Sequence, residues 1–184
     1  MRFNEHWNLK DKHAFLSPSN YHWVNYSEDH LIDRYSSYKA SERGTRLHGI
    51  AKDCIEMGVK MPKNKNTFNM YINDGIGFKM IPEQPLYYSP YCFGTADTIS
   101  FRKNTLRIHD LKTGTTPASM IQLEVYAAIF CLEYEMSPFD IDIELRIYQE
   151  PEIQIYKPDK SDIRDIMDTI IIFDKKLQDL DSND

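Results

Sequence analysis

The clearest pattern in the chain is strict alternation. Ile141, Ile143, Leu145 and Ile147 are apolar, while Asp142, Glu144, Arg146 and Tyr148 between them are polar. A period of two predicts a half-buried strand over 139–149. Glu150-Pro151-Glu152 then turns the chain, and Ile153 to Tyr156 forms a second strand, so a hairpin is expected. Two further strands are predicted at 92–102 and 105–112. Before them, residues 78–91 are interrupted by Pro82, Pro85 and Pro90, which confines any strand to an edge near Leu86–Ser89. Helical spacing appears in three places. Leu47, Ile50, Ala51, Cys54 and Ile55 make one apolar stripe within a helix over 37–57, stopped by Gly58. Ile121, Val125, Ala128, Ile129 and Leu132 mark a helix over 118–136. Ile163, Ile166, Met167, Ile170, Phe173 and Leu177 mark another over 159–180. Ser17-Pro18-Ser19 starts a short helix to Asn25, with Trp23 and Val24 expected inside. Residues 60–77, rich in Lys and Asn, read as a loop or insertion holding one strand or a turn of helix. The order is that of a mixed α/β fold with one sheet.

Composition narrows the class. The 184 residues are 41% hydrophobic and 27% charged, which fits one globular domain with a helical N-terminal part over 17–58 and an acidic tail over 179–184. No apolar run approaches the roughly 18 residues of a membrane span, and the N-terminus lacks the apolar core of a signal peptide. The three cysteines, Cys54, Cys92 and Cys131, are widely spaced and read as reduced core residues, which points to a cytoplasmic protein. They are too few for a four-thiolate cluster. A net charge of −6 argues against a generic basic nucleic-acid binder, unless a site is locally basic or uses bound cations.

The candidate chemistry lies in residues 93–114, FGTADTISFRKNTLRIHDLKTG. A two-residue turn at Lys103-Asn104 places Asp97 directly opposite Asp110, and Thr95 opposite Lys112. Opposed Cβ atoms lie about 4.5–5.5 Å apart, and two carboxylates that close repel unless a cation sits between them. Such oxygens suit Mg2+, and Lys112 beside them can orient a water or neutralise developing charge. Gln122 and Tyr126, four apart on the next helix, are candidates to hold a phosphate or the hairpin end, or are surface and boundary residues. His48 is either a hydrogen-bonded boundary histidine or a further ligand. Glu83, on the preceding strand, either orders the site or is simply exposed.

Together these residues resemble the PD-(D/E)XK nuclease superfamily, in particular its RecB-like branch, which includes the CRISPR-associated RecB-like exonucleases. The branch's pattern is a helical His, then G-x-x-D, (D/E)-x-K and Q-x-x-x-Y. These stand here as His48 in RLHG, Gly94 to Asp97 in GTAD, Asp110 to Lys112 in DLKTG, and Gln122 to Tyr126 in QLEVY. HAFLSPSNYHWVNYSE and ERGTRLHGIA are similar to the N-terminal part of phage and prophage RecB-like proteins, so the likeness covers His13 to Tyr156. It implies a restriction-endonuclease-like core, a central mixed β-sheet flanked by helices. It implies that His48, Asp97, Asp110 and the Leu111 carbonyl bind Mg2+ or Mn2+, with Asp97, Asp110 and Lys112 catalytic. Gln122, Tyr126, Thr113 and Glu83 would serve substrate or site architecture, and no iron–sulfur cluster is expected. The implied activity is DNA exonuclease in phage or mobile-element recombination or end processing, in a bacterial or phage-infected cell. Alternatives are a structure-specific endonuclease or nickase, or a non-cutting DNA- or partner-binding module. Implied partners are DNA and a single-strand annealing protein or helicase, with a possible homo-oligomer and no membrane. The second acidic residue is Asp110 where Glu is commoner in the branch.

Overall fold

The computed structural model describes residues 5–9 and 12–182. The chain divides into two compact units, one of residues up to Thr45 and one from Arg46 onward. In the first, a 3-10 helix over Pro18–Asn25 starts where expected. The Ser17 hydroxyl accepts from the Ser19 amide at 3.3 Å, as an N-cap should. Trp23 turns back so that its indole N–H donates to the Ser17 carbonyl at 2.9 Å. Its neighbour Val24 therefore faces away and is 66% exposed, contrary to the expected burial. Helix α1 (Glu28–Met57) begins nine residues before the predicted start at 37. Ser27 Oγ accepts from the His30 amide at 3.2 Å, and Glu28 and Asp29 sit in the first turn, where the helix dipole favours negative charge.

In the second unit α1 ends at Gly58, whose φ is +68°. The Val59 amide reaches the Cys54 carbonyl at 2.8 Å, a glycine-dependent helix stop. Residues 60–77 are not mainly loop: α2 (Thr67–Gly77) is a three-turn helix capped by Asn66, whose side chain accepts from the Asn69 amide at 3.1 Å. Two glycines and two asparagines give it poor intrinsic propensity. Packing overrides that. Tyr71 and Ile72 are buried, and Gly75 lies so close to α1 that a Cβ there would stand 2.8 Å from Ile55 Cδ1.

Five strands follow the order β1-β2-β3-β4-β5: β1 (Ile81–Ser89), β2 (Cys92–Arg102), β3 (Thr105–Lys112), β4 (Asp142–Gln149) and β5 (Glu152–Tyr156). All neighbours are antiparallel except β3 and β4, which are parallel. A parallel pair needs a long crossover, here carrying α3 (Ile121–Glu133). Helix α4 (Lys160–Asp181) closes the unit. The fold is a central mixed β-sheet flanked by α-helices. Strand β1 is longer than predicted because Pro82 and Pro85 are tolerated on a sheet edge.

Each sheet face has its own core. Leu106 and Ile108 of β3 and Ile143, Leu145 and Ile147 of β4 pack with Leu123, Ala127 and Phe130 of α3 and with Ile163 and Met167 of α4. The other face packs Leu111 and Tyr148 against Ala51 and Ile55 of α1 and Tyr71 and Ile72 of α2. No described helix is long and apolar enough to cross a membrane.

Candidate metal centre

The β2–β3 turn has the predicted length. Lys103 and Asn104 carry φ of +50° and +59°, the paired left-handed conformation that two-residue hairpins use. That turn sets the register, which runs from Arg102↔Thr105 to Thr98↔His109. Continued by one rung, it brings Asp97 alongside Asp110. There the main-chain ladder stops. The Leu111 amide donates instead to Asp97 Oδ2 at 3.0 Å, so a carboxylate replaces the carbonyl a strand partner would offer.

Strand β1 has its own irregularity at the same level. Pro82 pairs with Thr98 and Gln84 with Ala96, so Glu83 is the residue opposite Asp97. Glu83 adopts φ +50°, which is rare for a residue with a side chain and unfavourable within a strand. The side-chain alternation of β2 breaks here too. Ala96 and Ile99, three residues apart, both join the α3-side core. One rung across three strands thus carries three carboxylates: Glu83, Asp97 and Asp110.

His48 comes to this rung from α1. Its Nδ1 lies 3.4 Å from Asp97 Oδ2, and both side chains are partly buried. Ligand atoms of His48, Glu83 and Asp97 all fall within 4.8 Å of one another, a cluster compatible with a divalent cation. Donation of a hydrogen bond to the Asp97 carboxylate raises the His48 imidazole above its ordinary value, against the opposing effect of burial.

Asp110 stands outside that group of three. It is 5% exposed, and Lys112 Nζ lies 3.0 Å from both its oxygens. Only Oδ1 meets Lys112 in hydrogen-bond geometry, so Oδ2 is a buried oxygen without a hydrogen-bond donor. Burial, and then the nearby Asp97, raise the Asp110 carboxyl above the ordinary range, while Lys112 opposes them. Lys112 also donates to Gln122 Oε1 at 3.2 Å. One turn further along α3, the Tyr126 hydroxyl donates to the Thr95 carbonyl at 2.7 Å. Tyr126 lies over Gly94, where a Cβ would stand 3.0 Å from its Cε1. Thr113 is exposed in the loop after β3.

The structure therefore gathers His48, Asp97 and Glu83 closely, with Asp110, Lys112, Gln122 and Tyr126 linked beside them. The prominent place of Glu83 is the largest departure from the sequence expectation, which left it undecided. Carboxylate oxygens and one imidazole are hard to borderline donors of the kind that hold Mg2+ or Mn2+, and beside them the buried Asp110 Oδ2, 3.0 Å from the Lys112 ammonium, is left without a hydrogen-bond donor. No family model matches this chain, and no curated protein or solved structure matches it.

Proposed function

We propose that this protein is a metal-dependent phosphodiester hydrolase acting on DNA, an exonuclease of the RecB-like kind on a restriction-endonuclease-like core. The observation that carries the reading is the single rung on which three adjacent strands each place a carboxylate, with His48 beside it and Lys112 paired to Asp110. His48, Glu83 and Asp97 would hold a divalent cation, with Asp110 and the Leu111 carbonyl next to it. An imidazole in the set favours Mn2+ over Mg2+. When bound, the cation neutralises phosphate charge and lowers the pKa of water.

The rest of the work falls to the side chains. Lys112 is held between Asp110 and Gln122, so its ammonium is oriented before substrate arrives. It can position a water for attack and offset the negative charge that develops on the phosphoryl oxygens. Gln122 and Tyr126 act as positioning residues, the first on Lys112 and the second on the β2 main chain two residues before Asp97. Thr113, exposed just after Lys112, would meet the substrate backbone.

The test is incubation of purified protein with linear duplex, single-stranded and covalently closed circular DNA, with Mn2+ or Mg2+. Loss of linear forms alone, abolished in Asp97→Ala and Lys112→Ala, is the expected result. Cutting of the closed circle would assign an endonuclease instead. Failure to cut any DNA form with either metal would refute the hydrolase reading.

A further inference from the structure

Outside the carboxylate rung, the β1–β2 ribbon carries an exposed feature that the hydrolytic chemistry does not use. Tyr87 and Phe93 are a cross-strand pair, 51% and 67% exposed. Their rings are nearly parallel, 28° apart, with centroids 6.3 Å from each other. Leu86 and Ala96 of this ribbon face the α3-side core, and Gly94, opposite Leu86, lies under Tyr126. By strand alternation the other face then carries Tyr87 with Phe93, Pro85 with Thr95, and Glu83 with Asp97. Three successive rungs on one face thus lead from two exposed aromatics, across two small exposed residues, to the candidate metal centre. Phe93 and Asp97 are four residues apart, about 13–14 Å along the strand.

We infer that Tyr87 and Phe93 form a base-stacking platform that receives a single-stranded nucleic-acid end and aligns it with the carboxylate rung. The inference rests on the proposed hydrolase function and names the form of substrate. Bases of a duplex are stacked on one another and hide their faces, whereas a single strand presents them, and every base has a face to stack. The span of 13–14 Å is within reach of a few nucleotides, so a base held on the pair leaves its own strand's phosphates at the rung. Strand pairing by a second copy of the chain is disfavoured at this edge. The Tyr87 amide is already occupied by Glu133 Oε2 at 3.0 Å, and Pro82 and Pro85 have no amide hydrogen to offer.

The experiment is fluorescence anisotropy of a labelled oligothymidylate, with Ca2+ in place of Mn2+ and gels to verify that the strand stays intact. Tyr87→Ala and Phe93→Ala should each weaken binding about fivefold to a hundredfold, and Phe93→Trp should restore it. Phe93→Leu, which keeps apolar bulk without a π-face, should behave like Phe93→Ala, and thermal melts of all variants verify folding. Wild type should bind an oligonucleotide with abasic sites as weakly as Phe93→Ala binds the intact one. Equal binding by wild type and variants, equal binding of abasic and intact strands, or no binding of single strands overturns the platform. Metal-dependent cutting with binding indifferent to Phe93 removes the platform and leaves the hydrolase. Stacking without any cutting removes the hydrolase and leaves the platform.

Discussion

Gly94 offers a test of how the site is held that needs neither metal nor DNA. A Cβ at this position would lie 3.0 Å from Tyr126 Cε1 and 3.3 Å from its hydroxyl oxygen. The ring has little freedom to retreat, because its hydroxyl is tied to the carbonyl of Thr95, the next residue, at 2.7 Å. Gly94→Ala must therefore overpack the contact or break that bond, and overpacking costs about 1–3 kcal/mol. Against this, φ at Gly94 is not positive, so alanine is conformationally acceptable and stabilises by about 0.4–1 kcal/mol through the unfolded chain. The net is destabilisation of about 1 kcal/mol. In a Tyr126→Ala background the obstruction is gone and only the favourable effect remains, so the same substitution should stabilise by about 0.4–1 kcal/mol. Urea unfolding of the four proteins, read as a double-mutant cycle, should give a coupling energy of about 1–3 kcal/mol and a change of sign. An equal effect in both backgrounds, or a Gly94→Ala protein more stable than wild type, would refute the argument. It would also cut the physical link between the G-x-x-D and Q-x-x-x-Y segments.

Three further outcomes follow from single side chains. Asp110 is raised above 3.8, by burial first and then by Asp97, so its protonated form favours the fold. That contribution is complete below pH 3.8 and is lost as pH rises through the raised value. Without divalent cation, Asp110→Asn should be more stable than wild type at pH 7 by about 0.5–2 kcal/mol, with the advantage shrinking toward pH 3.8 in denaturant titrations. In the β2–β3 turn, Lys103 holds φ +50° with a side chain that disfavours it. Lys103→Gly should add about 1 kcal/mol and raise Tm by roughly 2–4 °C in a calorimetric scan. Asn104→Ala should lower stability by a similar amount, since the Asn104 side chain also donates to the Asp140 carbonyl at 2.5 Å.

The reach of the sequence can be judged residue by residue. The β2–β3 hairpin was legible because everything that fixes it is local: two strand patterns and a two-residue turn determine the register, and so bring Asp97 to the level of Asp110. Helix α2 was not legible, because what stabilises it is burial of Tyr71 and Ile72 and the close approach of Gly75 to Ile55, while its own propensities point elsewhere. The partial place given to the N-terminal helix has a similar cause. The stretch before Ser37 has polar composition but good terminal capping, and capping carries less signal than an apolar stripe.

Glu83 shows a harder limit. The β1–β2 turn is again two residues, Pro90 and Tyr91, and its closing pair is Ser89↔Cys92. Counting back from that pair in even register would set Gln84 opposite Asp97. The register instead shifts by one between Ser89 and Tyr87, so that Tyr87 pairs with Phe93 and Glu83 takes the rung. A slip of one residue exchanges a carboxamide for a carboxylate at the candidate metal centre. The shift has no marker as plain as the Lys103-Asn104 turn, since the single extra residue of a bulge is compatible with most side chains. The left-handed φ of Glu83 is a second irregularity, four residues beyond that shift and within unshifted pairing; at its level the side-chain alternation of β2 breaks, and Ala96 and Ile99 share one core. Regular strands here would have put Asp97 and its neighbours into a uniform ladder, with main-chain partners on both sides. The broken rung instead frees Asp97 to accept from the Leu111 amide and to approach His48, so the departure from ideal strand geometry is what assembles the site.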